Sequence, residues 1–409
     1  MSGRSVAITG LGLVTPLGIG VDPFWTGLME GRSGVRPLEG IQIWDMPTTH
    51  YGQLPAIDWD RHLDPKESSL WSGASKLAVV GGLLAAADAG RADWSGPRTG
   101  VLLGTGYGCS HEFEAHYETW YTKGWKKTKP VTVPKIMPNA PASHLAMRLG
   151  ARGLNATIST ACSSGAIAAG LAAQQIRAGL LDACFAGGLD FICNASIVAA
   201  WNALRVLSRR NDPTASRPFS RDRDGLVFAE GCAVMVLEES GLARARGARI
   251  YAELSGVGAT NDATNIVAPD GVGEAEAVRM ALGDAGLGVA DIDYVNAHGT
   301  STPVNDANET RMLKEVLGRR AREIPVSSIK GHIGHAMGAA GSIEVAATAL
   351  ALHHQRVPPT LHFVPGDPEC DLDYVAEGPR RLSLRHALTN SFGFGGQNSV
   401  LLLSRAGRD

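Results

Sequence analysis

One cysteine stands where an α/β fold would place a nucleophile. Cys162 follows an apolar run at residues 155–159 and precedes an Ala- and Gly-rich segment typical of a helix. The positive end of a helix dipole favours a thiolate at its N-terminus, and the backbone N–H groups there stabilise an oxyanion. A lone cysteine beside alanine is usually a packing residue. This strand–turn–helix context instead favours a reactive thiol.

Two histidines occupy glycine-rich turns of the kind that follow strands. His298 lies in NAHGTST at residues 296–302, and His335 ends GHIGH at residues 331–335. Lone histidines are more often structural than catalytic, but together with Cys162 they form a stronger constellation. Neutral imidazoles can donate Nε2–H bonds to an enolate, so this trio suits stabilising a thioester carbonyl while a carbanion forms.

Other chemistry matches these residues less well. His332 and His335 have a spacing that suggests metal ligands, but no nearby carboxylate or third ligand supports them, and no metal site is predicted. GLG at residues 10–12 lacks the third glycine and the acidic residue of a dinucleotide-binding turn. A thiol protease would need a group to orient His298 and a peptide cleft, and nothing in the sequence argues for the cleft.

A late glycine-rich segment offers a cover for such a site. NSFGFGGQN at residues 390–398 lies between two short apolar stretches and is predicted to be a loop. Its glycines would let backbone N–H groups approach a ligand closely. Phe392 and Phe394 would then cover that ligand, a feature that a flexible hairpin turn does not explain.

Strand-like and Ala-rich helical segments alternate along the chain, which indicates an α/β fold. The predicted strands are residues 5–9, 99–104, 155–159, 183–187, 232–237, 250–258, 294–297, 324–327 and 399–403. The predicted helices are residues 72–89, 163–179, 273–285, 307–317 and 339–353.

A faint internal repetition suggests two halves of like topology. ISTACSSG at residues 158–165 resembles VSSIKGH at residues 326–332, since both lead from a strand towards an Ala/Gly-rich helix. VLLGTG at residues 101–106 is echoed by YVNAHGT at residues 294–300. Chance similarity between glycine-rich turns remains the alternative. The predicted halves are residues 1–247 and 248–409.

Composition excludes several classes of protein. The 409 residues are 44% hydrophobic and 19% charged with a net charge of -2, so a nucleic-acid partner is not expected. Six cysteines without zinc-like spacing fit buried thiols in a reducing compartment. Glycines interrupt the uncharged N-terminal stretch, and polar residues interrupt the one at 153–176, so neither a signal peptide nor a membrane span is expected. The protein is expected to be cytoplasmic.

Taken together, the motifs resemble those of the β-ketoacyl-ACP synthases of types I and II, over nearly the whole chain. The matching segments are TACSSG at residues 160–165, NAHGTSTP at 296–303, Lys330 with Gly334 and His335, NSFGFGG at 390–396, RND at 210–212, SRPF at 216–219 and RDG at 223–225. The resemblance implies a thiolase-like fold of five αβαβα layers built from two duplicated halves. It also implies a homodimer, with a heterodimer of related subunits as the alternative.

The resemblance also implies a mechanism. Cys162 would take an acyl chain from acyl carrier protein (ACP), and malonyl-ACP would then lose CO2 while His298 and His335 stabilise the enolate. Attack of the enolate on the thioester would give 3-oxoacyl-ACP. No cofactor of the enzyme itself is expected, since the phosphopantetheine arm belongs to ACP.

The same resemblance assigns the supporting roles. The backbone N–H groups of Cys162 and Phe394 match the oxyanion hole, and Phe394 is also the gate over the acyl pocket. Lys330 matches a structural and electrostatic lysine expected to pair with Glu309. The expected substrate-binding residues are Thr300, Thr302, Phe392 and Tyr107.

The departures from the family pattern concern selectivity. Tyr107 occupies a position lining the distal acyl pocket where an aliphatic residue is common. The ACP-docking surface is expected at Lys126, Lys127 and Arg205. Some motifs are similar to type II polyketide or polyene ketosynthases and others to type I fatty-acid enzymes, so the pathway stays open with a slight preference for specialised metabolism.

Three related readings compete with a ketosynthase. A catalytically inactive chain-length factor would lack the nucleophile, which this chain has in Cys162. A degradative thiolase would need a second cysteine in the late loop, where Phe392 and Phe394 stand. A type III initiation enzyme would use Cys-His-Asn, whereas His335 gives Cys-His-His.

Overall fold

The chain folds around one large sheet. The computed structural model describes residues 4–407, and the central sheet there has eleven strands. The strands of the described part are β1 (Val6–Thr15), β2 (Gly18–Ile19), β3 (Arg36–Pro37), β4 (His50–Tyr51), β5 (Thr99–Gly104), β6 (Asn155–Ile158), β7 (Ala183–Asp190), β8 (Gly231–Glu239), β9 (Ala252–Asn261), β10 (Tyr294–Asn296), β11 (Val326–Ser327), β12 (Arg356–Val357), β13 (Arg380–Arg381), β14 (His386–Gly393) and β15 (Gln397–Ser404).

Helices cover this sheet on both faces. They are α1 (Val21–Met29), α2 (Pro65–Ser68), α3 (Gly73–Asp88), α4 (Ser110–Lys123), α5 (Thr132–Ile136), α6 (Ala140–Leu149), α7 (Ser164–Arg177), α8 (Ala195–Leu204), α9 (Ser240–Ala245), α10 (Val272–Ala285), α11 (Pro303–Leu317), α12 (Lys330–Ile333) and α13 (Ala340–His354). Within residues 4–407, each helix is too short or too polar to span a membrane.

The sheet contains the same strand order twice. One half runs β1-β8-β7-β5-β6 and the other runs β9-β15-β14-β10-β11, with parallel pairing among the last three strands of each. The halves join where β1 pairs antiparallel with β9, with Ala7 opposite Glu253. The predicted duplication is therefore confirmed. The predicted boundary at 247/248 falls between α9 and β9, and the division into two separate domains stays a prediction.

The helices complete five layers. α3 and α6 cover the outer face of the first half-sheet, while α10 and α11 cover the outer face of the second. The Ala- and Gly-rich helices α7 and α13 pack against each other between the half-sheets. Every residue of α13 from Ala340 to Leu352 is buried, because that helix has protein on all sides. This αβαβα arrangement is the one expected.

A glycine on one strand of each half lets an outer helix approach that strand closely. A Cβ at Gly12 of β1 would lie 1.8 Å from the Gly81 carbonyl oxygen in α3. A Cβ at Gly258 of β9 would lie 1.9 Å from the Ala277 carbonyl oxygen in α10. Equivalent close approaches in the two halves therefore account for some of the 50 glycines of the chain. The structure also corrects the prediction that β1 ends at residue 9, since the strand continues through its glycines to Thr15.

The late glycine-rich segment is mostly strand. β14 extends to Gly393 and β15 begins at Gln397, so only residues 394–396 form the turn. The prediction of a loop over residues 390–398 was wrong in extent, and β14 is missing from the predicted strands. The side chains of residues 387–392 are buried on both faces of the sheet. The glycines and polar residues of the segment do not indicate a buried strand.

We expect Gly104→Ala to destabilise the fold, because its Cβ would lie 2.3 Å from the backbone carbon of Ser164 at the start of α7. Overpacking of this kind costs about 1–3 kcal/mol of the free energy of unfolding. Gly283→Ala is the matched control, since a Cβ there meets nothing within 4 Å, and alanine in a helix should add about 0.5–1 kcal/mol. Urea unfolding measures both, and equal midpoints would contradict the close approach.

Candidate active site

Cys162 lies in a constrained turn between β6 and α7. Ala161 has a φ of 51°, a left-handed conformation that a non-glycine residue keeps only where its surroundings hold it. The Ser163 hydroxyl donates to the Thr160 carbonyl at 2.8 Å. The Ser164 hydroxyl donates to the Ala161 carbonyl at 2.6 Å and accepts the Thr160 N–H at 2.8 Å. These bonds fix the thiol just ahead of α7, as predicted.

A carboxylate from α11 shapes the turn that carries His298. Buried Glu309 accepts the backbone N–H of His298 at 2.8 Å and that of Gly299 at 2.7 Å. It also accepts from Asn390 Nδ2 at 3.0 Å, which ties the turn to β14. Glu309 thus supports the site through the backbone of the His298 turn.

The expected pairing of Lys330 with Glu309 is wrong. The Lys330 ammonium, only 1% exposed, forms its ion pair with Glu344 of α13. It also donates to the His298 carbonyl at 2.6 Å. A buried charge must be paired. Glu344 supplies the paired carboxylate, whereas Glu309 accepts the backbone N–H groups of His298 and Gly299.

The same ammonium fixes the tautomer of His298. Lys330 Nζ lies 3.3 Å from His298 Nδ1. An ammonium is a donor only, so Nδ1 accepts and the neutral ring carries its proton on Nε2. His298 is therefore arranged as an Nε2–H donor.

His335 is held by its backbone across from His298. Its N–H donates to the Val227 carbonyl at 2.7 Å, and its carbonyl accepts the Ala229 N–H at 2.9 Å. The two imidazole centroids are 5.2 Å apart with an interplanar angle of 84°. Among residues 4–407, His335 Nδ1 is buried without a hydrogen-bond partner. The ring is thus placed by the backbone and left available to a ligand.

His332 has a different environment from His335. Its Nε2 and Nδ1 lie 3.0 Å and 3.2 Å from the carbonyl oxygens of Pro359 and Arg32. No group of three or more His, Cys, Asp or Glu side chains in the described part of the chain is suited to a metal ion. His332 acts as a packing residue of α12.

A buried carboxylate connects the two halves near the site. Asp190, at the end of β7, accepts from the Thr105 hydroxyl at 2.6 Å and from the Tyr107 N–H at 3.1 Å. It also accepts the Gly338 N–H, just beyond His335, at 2.7 Å. The loop after β5 and the loop after His335 therefore share one anchor.

A cavity of about 400 Å³ brings most of the predicted residues together. The predicted residues in its wall are Cys162, His298, His335, Thr300, Thr302, Phe392, Phe394 and Arg205. The Thr300 and Thr302 hydroxyls are 2.9 Å apart, and Thr302 also caps α11. Lys330 and Glu309 lie behind His298. The cavity thus unites a thiol, two imidazoles and two hydroxyls.

Three predicted residues lie away from this wall. Lys126 and Lys127 are exposed on a short 3-10 helix, Trp125–Lys127. Tyr107 is half-buried, and the residue between it and the cavity is Trp201, whose Nε1 donates to the Tyr107 hydroxyl at 2.8 Å. The expectation that Tyr107 lines the acyl pocket directly needs this correction, because the indole covers it.

Burial controls the protonation of the site. It raises the pKa of the Cys162 thiol to about 12, against the opposing effects of Lys330 and the Phe394 N–H. Burial, then the charge of Lys330, holds the pKa values of His298 and His335 well below their usual range. Both imidazoles are therefore neutral at neutral pH, as enolate stabilisation requires. Burial also means that Cys162 is not the thiolate expected from the helix dipole alone.

Two residues of this site, Glu344 and Trp201, are not among the residues predicted from the sequence. Glu344 had a usable signal, because it is the one acidic residue in the otherwise apolar α13. Trp201 had none, because an apolar residue in the apolar helix α8 looks like any other core residue.

Family descriptions match most of the chain. "Beta-ketoacyl synthase, N-terminal domain" matches residues 3–243, and "Beta-ketoacyl synthase, C-terminal domain" matches residues 251–364. The chain belongs to the β-ketoacyl synthase family. It is similar to 3-oxoacyl-(acyl-carrier-protein) synthase 2 of Synechocystis sp., at 40% identity over 98% of each chain. The protein of the same name from Staphylococcus aureus is 37% identical over 98% of each chain.

Solved ketosynthase structures have the same fold. One described as the ishigamide ketosynthase/chain length factor has a TM-score of 0.93 at 32% identity, covering 99% of this chain and 100% of that one. Another, a type II PKS acyl-carrier protein in complex with its ketosynthase bound to the hexaketide, has a TM-score of 0.90 at 34% identity, covering 99% and 100%. The predicted family, thiolase-like fold, ketosynthase function and acyltransferase class are confirmed, and the inactive chain-length-factor alternative is not better supported.

We expect substitutions at the buried ion pair of this β-ketoacyl synthase to change Cys162 reactivity in opposite directions. The charge of Lys330 lowers the thiol pKa and the charge of Glu344 raises it. Lys330→Met should therefore slow iodoacetamide alkylation of Cys162 at pH 8, and Glu344→Gln should accelerate it, each by about three- to tenfold. Lys76→Met on α3 is the control. Changes of the same sign in both variants would exclude an electrostatic effect.

Proposed function

We propose that this enzyme condenses a Cys162-bound acyl group with malonyl-ACP, with loss of CO2, to give 3-oxoacyl-ACP. The observation that carries the proposal is the cavity that Cys162 shares with two neutral imidazoles, His298 and His335. A nucleophile and two hydrogen-bond donors around one space are what acyl transfer followed by carbanion formation requires.

In the loading step, the Cys162 sulfur attacks the thioester carbonyl of acyl-ACP. A new C–S bond forms, the bond to the phosphopantetheine sulfur breaks, and the thiol proton leaves with that sulfur. The backbone N–H groups of Cys162 and Phe394 stabilise the oxyanion of the tetrahedral intermediate. The Phe394 N–H faces the Cys162 sulfur and lowers the pKa of the thiol.

In the condensing step, the bond between the carboxylate carbon and the methylene carbon of the malonyl group breaks, and CO2 departs. The electron pair remains as an enolate, whose oxygen accepts hydrogen bonds from His298 and His335. The nucleophilic carbon then attacks the Cys162 thioester, which forms the C–C bond and releases the sulfur. Lys330 holds the His298 tautomer that donates from Nε2.

The substrates would arrive on a phosphopantetheine arm. Thr300 and Thr302 present hydroxyls to the cavity and suit the amide groups of such an arm. We propose an ACP as its carrier, since one similar ketosynthase is in complex with an acyl-carrier protein. Arg205 at the cavity and the exposed Lys126 and Lys127 give an acidic carrier a basic surface. The enzyme would need no cofactor of its own and would work in the cytoplasm.

The biosynthetic pathway and the preferred acyl chain rest on different observations. Relatives named for 3-oxoacyl-ACP synthesis and neighbours from type II polyketide assembly both resemble this chain. Either fatty-acid or polyketide biosynthesis therefore fits, and the selectivity is assigned to the aromatic side chains behind Cys162.

We propose a homodimer, with a heterodimer of related subunits as the alternative. β6 is an open edge of the central sheet. Elsewhere on the surface, α4 has no buried residue, and its Tyr117, Trp120 and Tyr121 are exposed with their rings in tilted contact, an apolar surface typical of an interface. Light scattering of the chain purified alone should give a dimer. A monomer would favour a second, related subunit.

The decisive test of the activity is intact mass spectrometry after incubation with acyl-ACP. We expect one acyl adduct on Cys162, and 3-oxoacyl-ACP with CO2 once malonyl-ACP is added. Cys162→Ala should abolish both the adduct and condensation. Acylation at another residue, or condensation by Cys162→Ala, would overturn the proposal.

A second variant separates the roles of the thiol and the imidazoles. Cys162→Gln should lose condensation and keep, or increase, CO2 release from malonyl-ACP, because the side chain resembles a bound acyl group. Adding His298→Ala or His335→Ala to that variant should reduce CO2 release by about a hundredfold or more. Unchanged CO2 release would contradict enolate stabilisation by the histidines.

A further inference from the structure

An aromatic pair closes the space behind Cys162. Trp201 is 6% exposed, and its Nε1 donates to the Tyr107 hydroxyl at 2.8 Å. Trp201 shares one apolar cluster with Cys162, Val198 and Phe228. An acyl chain on the sulfur that extends into this cluster meets the indole before it reaches Tyr107.

The indole contacts two further rings, those of Phe228 and of the gate residue Phe394. The Trp201 and Phe394 rings are stacked, with centroids 5.8 Å apart and an interplanar angle of 20°. Phe394 in turn directs its backbone N–H at the Cys162 sulfur. One side chain therefore touches both the acyl space and the residue that completes the oxyanion hole.

Tyr107 holds the indole from a rigid base. Its backbone N–H donates to Asp190 at 3.1 Å, as does that of Gly106 at 3.0 Å. Asp190 also accepts the Gly338 N–H beyond His335. The backbone of Tyr107 is thus fixed to the framework of the site, and its hydroxyl holds the indole from that base.

We propose that Trp201 is a positioning residue that couples acyl-chain length to the Phe394 gate. While a short acyl group occupies Cys162, Tyr107 keeps the indole in place and the indole supports Phe394. A longer acyl chain must displace the indole, which breaks the Tyr107 hydrogen bond and withdraws support from Phe394. The enzyme therefore selects short acyl groups both when Cys162 is loaded and when the thioester is attacked.

This inference rests on the proposed function, and its test compares acetyl and octanoyl pantetheine thioesters. Tyr107→Phe removes only the hydroxyl that holds the indole. The octanoyl-to-acetyl ratio of Cys162 acylation rates should rise by about three- to tenfold, the effect of one intramolecular hydrogen bond. Trp201→Phe keeps an aromatic ring against Phe394 and should raise the ratio similarly.

Trp201→Ala distinguishes coupling from a simple change in pocket size. It should accelerate octanoyl loading and also lower the condensation rate of enzyme already loaded with acetyl, because Phe394 loses its support. A larger pocket alone would accelerate octanoyl loading and leave acetyl condensation unchanged. That outcome would overturn the coupling.

Tyr51→Phe is the matched control. Tyr51 is a buried tyrosine in the same cluster, but its hydroxyl bonds to Asn202 and Thr48 and not to Trp201. It should leave the octanoyl-to-acetyl ratio unchanged. If the wild type takes no acyl group on Cys162, the proposed function fails. If it acylates and condenses normally but no Tyr107 or Trp201 variant changes the ratio, only the inference about Trp201 fails.

Discussion

The site depends on the buried ion pair between the Lys330 ammonium and the Glu344 carboxylate. Burying an unpaired charge costs several kcal/mol. The ion pair with Glu344 and the hydrogen bond to the His298 carbonyl offset this cost. From that position the charge of Lys330 makes His298 an Nε2–H donor, adds to the effect of burial in lowering the pKa values of His298 and His335, and partly opposes the effect of burial on the Cys162 thiol. One ion pair thus modifies the protonation of three side chains that burial controls.

Each catalytic loop also contains a strained residue held by buried polar groups. Ala161, Ser301 and Met337 have φ values of 51°, 70° and 46°, conformations that cost about 1–3 kcal/mol each. Serine hydroxyls hold the first loop, the α11 carboxylates of Asp306 and Glu309 hold the second, and Asp190 holds the third.

Local sequence patterns predicted the elements and turns whose structure depends on neighbouring residues. The apolar strands, the Ala-rich helices and the three turns with Cys162, His298 and His335 were found because each has its own composition. The partner of Lys330 was not predicted, because α11 and α13 each carry a glutamate and only the three-dimensional structure shows that Glu344 forms the ion pair. The Tyr107–Trp201 bond spans 94 residues, and β14 was taken for a loop because its ladder partners, not its residue types, make it a strand.

The high pKa of the Cys162 thiol agrees with catalysis once the timing of charge is considered. Burial outweighs both the helix dipole and Lys330, so the sulfur is a neutral thiol, and oxidation of a thiol requires the thiolate. In the proposed mechanism, a carbonyl in the oxyanion hole develops its negative charge only as the sulfur attacks, with the N–H groups of Cys162 and Phe394 as its donors. Preorganised donors of this kind stabilise the transition state more than the resting state. The proposed mechanism therefore activates the nucleophile only when substrate is bound.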